Sequence, residues 1–168
     1  MDDQERSECL RKVAEWDKFF VGMAEHVSTK SKDRSTKVGA VIVGASHNVL
    51  AIGFNGFPRG VNDDVDSRHE RPIKYMFTEH AERNAIYNAA RHGIRLFGST
   101  LYLNGGGLPC ADCARALIQA GIVEVVSRDK PFEGKGGMWE ESERVSAEMF
   151  KEAGVLVVRL NPDFTRKT

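Results

Sequence analysis

The segment TLYLNGGGLPCADCARALIQAGIVEVV, residues 100–126, decides the expected fold. It begins with a short strand, Thr100 to Leu103, which three glycines interrupt, and residues 110–120 then have helical character. Gly121 follows as a helix-ending glycine, and Ile122 to Val126 form an apolar run of the kind buried on both faces of a sheet. A strand, a helix and a second strand in this order predict a parallel crossover in an α/β protein.

The flanking residues extend this pattern in both directions. Two apolar, β-branched runs joined by a short polar turn predict a hairpin, and a turn-rich stretch after them predicts a long loop. Apolar residues at helical spacing predict three more helices. The predicted order is αββαβαβαβ, with helices at 7–29, 79–92, 110–120 and 139–153, strands at 38–43, 49–54, 100–103, 122–126 and 155–158, and loops at 55–72 and 130–138.

Composition narrows the functional classes. The chain has 168 residues, which predicts one domain over 1–168 with a core of about 16–160. Lys plus Arg and Asp plus Glu are each 24, so the formal net charge is zero and no stable nucleic-acid partner is expected. We find no apolar run long enough to span a membrane and no secretory signal at the charged start. Three cysteines without a disulfide pattern favour a cytoplasmic protein.

Two short motifs carry the residues suited to chemistry, and each opens a predicted helix. His80, Cys110 and Cys113 are preferred ligands of Zn²⁺, and three protein ligands leave a fourth position for water. The positive end of a helix favours thiolates. Glu82 is the candidate proton carrier beside such a metal. On an ideal helix, side chains two residues apart diverge by about 200°, so His80 and Glu82 can share a site only where the helix end is irregular.

Three other interpretations of these motifs stay open at this point. A CxxC at a helix start after a strand also fits a thiol oxidoreductase of the thioredoxin type. A closed structural zinc site with His92 as the fourth ligand is a second alternative. A metal-dependent scaffold without catalysis is the third, and it predicts no role for Glu82.

The conjunction of HxE and PCxxC, with His80 placed 30 positions before Cys110, resembles the signature of zinc-dependent nucleobase deaminases. The chain is similar to the cytidine and deoxycytidylate deaminase family, and most similar to its deoxycytidylate (dCMP) branch. The segments that carry this resemblance are SKDRSTKVGAVIV (31–43), GFNGFPRGVNDD (53–64), EHAERNAI (79–86) and PCADCARALIQAGIVEVV (109–126).

This resemblance implies a three-layer α/β/α fold around a mixed sheet of about five strands. It implies one Zn²⁺ per chain, held by His80, Cys110 and Cys113, with Glu82 as the general acid and base. The implied reaction is hydrolysis of dCMP to dUMP and ammonia. Asn55 and the backbone N–H of Ala81 are the implied substrate contacts, and cations or polar groups before the first strand are candidates for the phosphate: Ser31, Lys32 and Arg34.

The resemblance also implies a homo-oligomer, with dCTP and dTTP as expected effectors. Within the deaminases, the alternative substrates are cytosine or cytidine, dCTP, guanine and adenosine in tRNA. A tRNA enzyme is expected to have a basic surface, and the zero net charge speaks against it.

Overall fold

The computed structural model describes residues 3–128 and 138–167 of the chain. The helices are α1 (Asp3–Ser28), α2 (Lys74–Phe77), α3 (Ala81–Arg91), α4 (Ala111–Ala120) and α5 (Met138–Glu152), with one 3-10 turn at Asp66–His69. The strands are β1 (Gly39–Val43), β2 (Val49–Phe54), β3 (Ser99–Gly106), β4 (Ile122–Arg128), β5 (Leu156–Leu160) and β6 (Arg166–Lys167).

Within the described residues, one sheet of six strands has the order β2-β1-β3-β4-β5-β6. The hairpin β1–β2 is antiparallel, as the sequence predicts, and β3, β4 and β5 are mutually parallel. The mixed α/β sheet is therefore confirmed. The described sheet has six strands instead of the expected five because the short strand β6 pairs with β5 at the edge of the sheet. The two residues of β6 show no strand pattern in the sequence.

The sheet separates two apolar cores, and β1 shows why. All five of its residues are buried, but alternate side chains point to opposite faces. Ala40 and Ile42 belong to the core that also contains apolar residues of α3, α4 and α5, whereas Val41 and Val43 pack with apolar residues of α1. Helices therefore cover both faces, which gives the expected three layers. Of the described helices, none is long and apolar enough to cross a membrane.

The predicted boundaries are close to the observed ones, with two differences. Strand β3 continues to Gly106, although the glycines were predicted to interrupt it after Leu103. The predicted loop at 55–72 contains the 3-10 turn. The short helix α2 follows this loop, and the sequence pattern did not predict either element. Most of the predicted loop at 130–138 lies outside the described residues.

Candidate active site

The two motifs meet because both stand at helix starts on the same side of the sheet. His80 is the N-cap of α3 and Cys110 is the N-cap of α4, and both have extended backbone dihedrals. His80 therefore lies just outside the helix, while Glu82 is inside its first turn. This irregular geometry removes the 200° divergence of an ideal helix, so both side chains line the same cavity.

Three donor atoms form a cluster that fits a metal ion. His80 Nδ1 lies 3.4 Å from Cys110 Sγ and 3.4 Å from Cys113 Sγ. All three ligand atoms lie within 4.8 Å of one another. Tetrahedral Zn²⁺ with bond lengths of about 2.3 Å to sulfur and about 2.0 Å to nitrogen requires N···S distances of about 3.5 Å. One imidazole and two sulfurs at these separations therefore fit the coordination sphere of Zn²⁺.

The position of His80 is set by the residues around it, both near and distant in sequence. Its backbone N–H donates to Glu79 Oε1 at 2.8 Å, and the same oxygen accepts from Arg83 Nε at 2.7 Å. Glu79 also exchanges two backbone hydrogen bonds with Gly56, which follows strand β2. The indole ring of Trp139 stacks on the imidazole, with 6.0 Å between the ring centroids. These contacts fix the imidazole before any ion binds.

The short distances within the cluster shift the pKa values of all three side chains. The thiol of Cys113 and the His80 imidazole both hydrogen-bond to Cys110, and they lower the pKa of Cys110 to about 4 against the opposing effect of burial. The hydrogen bond between His80 and Cys110 raises the pKa of His80 to about 9. The hydrogen bond between Cys113 and Cys110, together with burial, raises the pKa of Cys113. A divalent cation would bind these groups in their deprotonated forms, so its binding would release protons.

Glu82 has the environment of a carboxyl group that can hold a proton. It is 6% exposed, and burial raises the pKa of its carboxyl group above the ordinary value, although the positive charge of His80 opposes this. His92 lies at the far end of α3, 12 residues or about 18 Å along a helix from His80. The alternative of a closed site with His92 as the fourth ligand is therefore wrong.

A cavity of about 470 Å³ opens beside the cluster. Asn55, Ala81 and Glu82 line it together with His80 and Cys110, so these predicted residues are brought together. Ala81 is the first residue of α3, and the N–H groups of a first helical turn have no partner within the helix. Asp33, from the 31–43 segment, also lines the cavity, although no role was predicted for it. Further lining residues lie outside the predicted motifs, and no spacing marks them: Arg71, Lys74, Tyr75 and Trp139.

The predicted phosphate contacts lie elsewhere. Ser31, Lys32 and Arg34 line a separate shallow depression. Lys32 Nζ is 2.8 Å from Asp63 Oδ2, and Arg34 Nη2 is 2.6 Å from Asp66 Oδ1. The Ser31 hydroxyl donates to the backbone oxygen of Asn55 at 2.7 Å. The structure does not bring these three side chains to the cavity, and their role in binding substrate stays a prediction.

The fold and the cluster together define the class of cytidine-deaminase-like α/β proteins. Residues 14–128 match the sequence pattern of the cytidine and deoxycytidylate deaminase zinc-binding region. Because this match spans both motifs and more than half of the chain, the protein belongs to that deaminase family and is a hydrolase.

Several relatives agree with this assignment. An uncharacterized deaminase in the luxG 3′ region of Aliivibrio fischeri is 43% identical over 155 residues, which cover 92% of this chain and 99% of the relative. Mouse deoxycytidylate deaminase is 33% identical over 159 residues, covering 90% of this chain and 83% of the mouse protein. The crystal structure of dCMP deaminase from the cyanophage S-TIM5 in apo form has a TM-score of 0.67 at 28% identity, covering 87% and 98% of the two chains.

Proposed function

We propose that this chain is a zinc-dependent deaminase that hydrolyses dCMP to dUMP and ammonia. The observation that carries the proposal is the His80, Cys110 and Cys113 cluster, whose ligand atoms lie within 4.8 Å of one another beside the cavity that Glu82 lines. The donor set of one imidazole and two thiolates favours Zn²⁺ over oxygen-preferring cations. The relatives named deoxycytidylate deaminase support dCMP as the substrate.

The reaction exchanges one bond at C4 of the pyrimidine. The water oxygen bonds to C4, the C4–N4 bond breaks, and the two water protons end on N3 and on the departing amine. Zinc held by His80, Cys110 and Cys113 supplies the Lewis acidity that makes water a nucleophile near neutral pH. No oxidant or second substrate is needed, because one water molecule balances the reaction.

The chain's own residues move the protons and hold the base. The Glu82 carboxylate lies in the cavity next to His80 and is the group that takes a proton from the water and delivers it to the base. We assign the backbone N–H of Ala81 as a donor to the base, because it belongs to the first turn of α3, where N–H groups have no partner within the helix. Trp139 and Tyr75 form an aromatic wall, with 6.2 Å between their ring centroids.

An exposed cation in the cavity wall suits a nucleotide better than a free base. Arg71 is exposed and lines the cavity, and its guanidinium carbon lies 5.9 Å from the centroid of the Tyr75 ring. A guanidinium group binds a phosphate through paired hydrogen bonds. Lys32 and Arg34, in contrast, already have carboxylate partners. Arg71 is therefore our candidate for the phosphate contact.

An ammonia-release assay of the zinc-loaded protein tests the proposed reaction. The substrates are dCMP, dCTP, deoxycytidine, cytosine and guanine, and we expect the highest kcat/KM with dCMP. The variant Glu82→Ala is expected to keep zinc and fold but to lose ammonia release, because the proton carrier is gone. A wild-type protein that deaminates another substrate best refutes dCMP as the substrate, and loss of zinc from Glu82→Ala refutes the role of Glu82.

Charge reversal tests the phosphate contact. We expect Arg71→Glu to lower kcat/KM for dCMP by at least about tenfold, because like charges across a binding interface are costly. Arg34→Glu serves as the matched control outside the cavity. A larger loss in Arg34→Glu than in Arg71→Glu would return the phosphate contact to the residues before β1.

A further inference from the structure

One wall of the cavity contains a buried ion pair. Lys74 Nζ lies 2.7 Å from Asp33 Oδ1, and the two side chains are only 11% and 4% exposed. Removing two such charges from water is costly, and apolar side chains of similar size are often at least as stabilising. The pair therefore calls for a role other than stability alone.

The Asp33 carboxylate organises the backbone of this wall. Its Oδ1 accepts hydrogen bonds from the backbone N–H groups of Ser35 and Thr36 at 2.8 and 3.0 Å. Lys74 Nζ also donates to the Ser35 hydroxyl, 2.5 Å away. The two backbone hydrogen bonds to Asp33 are strengthened by an ionised carboxylate, and the cation of Lys74 balances its charge.

Asn55 is part of the same network. Its Nδ2 group donates to Asp33 Oδ2 at 3.2 Å and to the Thr36 carbonyl at 2.8 Å, so both amide protons are used inside the wall. Its Oδ1 accepts from the backbone N–H of Val38 at 2.8 Å. The network thus joins the segment before β1, the residue after β2 and helix α2, and residues from all three line the cavity.

We propose that Asp33 and Lys74 form a positioning pair, which gives the wall a fixed shape without presenting a negative charge to an anionic nucleotide. The inference rests on the proposed function, because dCMP carries a phosphate and a free nucleoside does not. Asp33 holds Asn55 and the backbone of residues 35 and 36, and Lys74 cancels the charge that makes this possible. Without Lys74, the buried Asp33 carboxylate would leave an unbalanced negative charge in the wall of the cavity.

The variant Lys74→Met removes the balancing charge together with the ammonium hydrogen bonds to Asp33 and Ser35. We expect KM for dCMP to rise at least about tenfold, from repulsion between like charges, with a smaller change in kcat. KM for deoxycytidine, which has no phosphate, should rise much less. Lys74→Arg should keep KM near the wild-type value, and Asp33→Asn combined with Lys74→Met should recover most of the loss because both charges are gone.

Amide hydrogen exchange of the same zinc-loaded variants reports positioning independently of activity. Protection of the Ser35, Thr36 and Val38 amides should fall in Lys74→Met and be kept in Lys74→Arg. Lys12→Met, which removes the same ammonium group from an exposed pair with Glu8 on α1, is the matched control and should change neither readout.

The outcomes separate this inference from the proposed function. If the wild type does not release ammonia from dCMP, the proposed function fails, whatever the exchange data show. If the wild type is active and Lys74→Met changes KM for dCMP and deoxycytidine by the same factor, the pair is merely structural and the inference is wrong. Unchanged amide protection in Lys74→Met also overturns it, and should that variant not fold, the double variant and Lys74→Arg still give both readouts.

Discussion

Two polar clusters border one cavity, yet their chemistry is opposite. We call the cluster of His80, Cys110 and Cys113 the corner, and the network of Asp33, Lys74 and Asn55 the wall. In the corner, three donor atoms of the kinds that Zn²⁺ prefers lie within 4.8 Å of one another. In the wall, carboxylate, ammonium and amide groups satisfy one another. The first arrangement is suited to binding an ion, whereas the second, whose groups satisfy one another, is suited to fixing the shape of the cavity.

The largest expected effect is loss of the ion from the corner. Cys113→Ser replaces the buried sulfur atom by a hydroxyl that is a poor ligand for Zn²⁺. We expect the bound zinc to be lost and ammonia release to fall by at least about a thousandfold, because the activated water is lost with it. Metal analysis and the ammonia assay measure both effects. Cys9→Ser, at an exposed thiol on α1, is the control, and retention of zinc by Cys113→Ser would contradict the ligand assignment.

A smaller effect is expected at Gly53, where strand β2 packs closely against helix α3. A Cβ atom on Gly53 would lie 2.3 Å from the Ala81 carbonyl oxygen and 2.4 Å from the Ala85 nitrogen. Helix α3 would have to move, at a cost of about 1–3 kcal/mol in the free energy of unfolding. His80 and Glu82 would move with it, and such misplacement costs up to about a hundredfold in rate.

Urea denaturation and ammonia release test this prediction on Gly53→Ala. Gly56→Ala is the matched control, since a Cβ at Gly56 meets nothing within 4 Å. Equal stability and activity of the two variants would show that α3 does not depend on close contact with β2.

The smallest expected effect is a pH dependence of stability that arises in the wall. Burial acts to raise the pKa of Asp33, but hydrogen bonds from Lys74 and from the Thr36 and Ser35 backbone outweigh it and lower the pKa below 3.8. The unfolded chain therefore binds the proton first as the pH falls. The stabilisation from Asp33 is complete well above pH 3.8 and is lost as the pH falls through the lower, folded-state value.

Urea denaturation between pH 6 and pH 3 measures this effect in wild type and in Asp33→Asn. We expect the wild type to be the more stable at pH 6 and its advantage to shrink below about pH 4. Asp66→Asn, in the exposed pair with Arg34, is expected to show a much smaller change. An advantage of wild type over Asp33→Asn that does not depend on pH would contradict the assignment of a lowered pKa to Asp33.

The corner was predictable because its information is local. His80 and Glu82 are two residues apart, Cys110 and Cys113 are three apart, and each pair stands at a helix start that periodicity reveals. The parallel order of β3, β4 and β5 followed for the same reason, since alternating strands and helices permit few connections. Strand β6 and helix α2 were missed because two and four residues are too short to show a period.

The sequence by itself therefore predicted the layered α/β architecture and the residues that the fold brings together as candidate metal ligands beside Glu82, since short-range spacing and residue chemistry suffice for these. Only the tertiary structure decided which charges border the cavity. Lys32 and Arg34 look like Lys74 and Arg71 when charge alone is considered. The fold pairs the first two with carboxylates outside the cavity and brings the other two to the cavity wall. The physical reason is that a cation's role depends on its partner and its burial, and residues 33 and 74 become partners only when the chain folds.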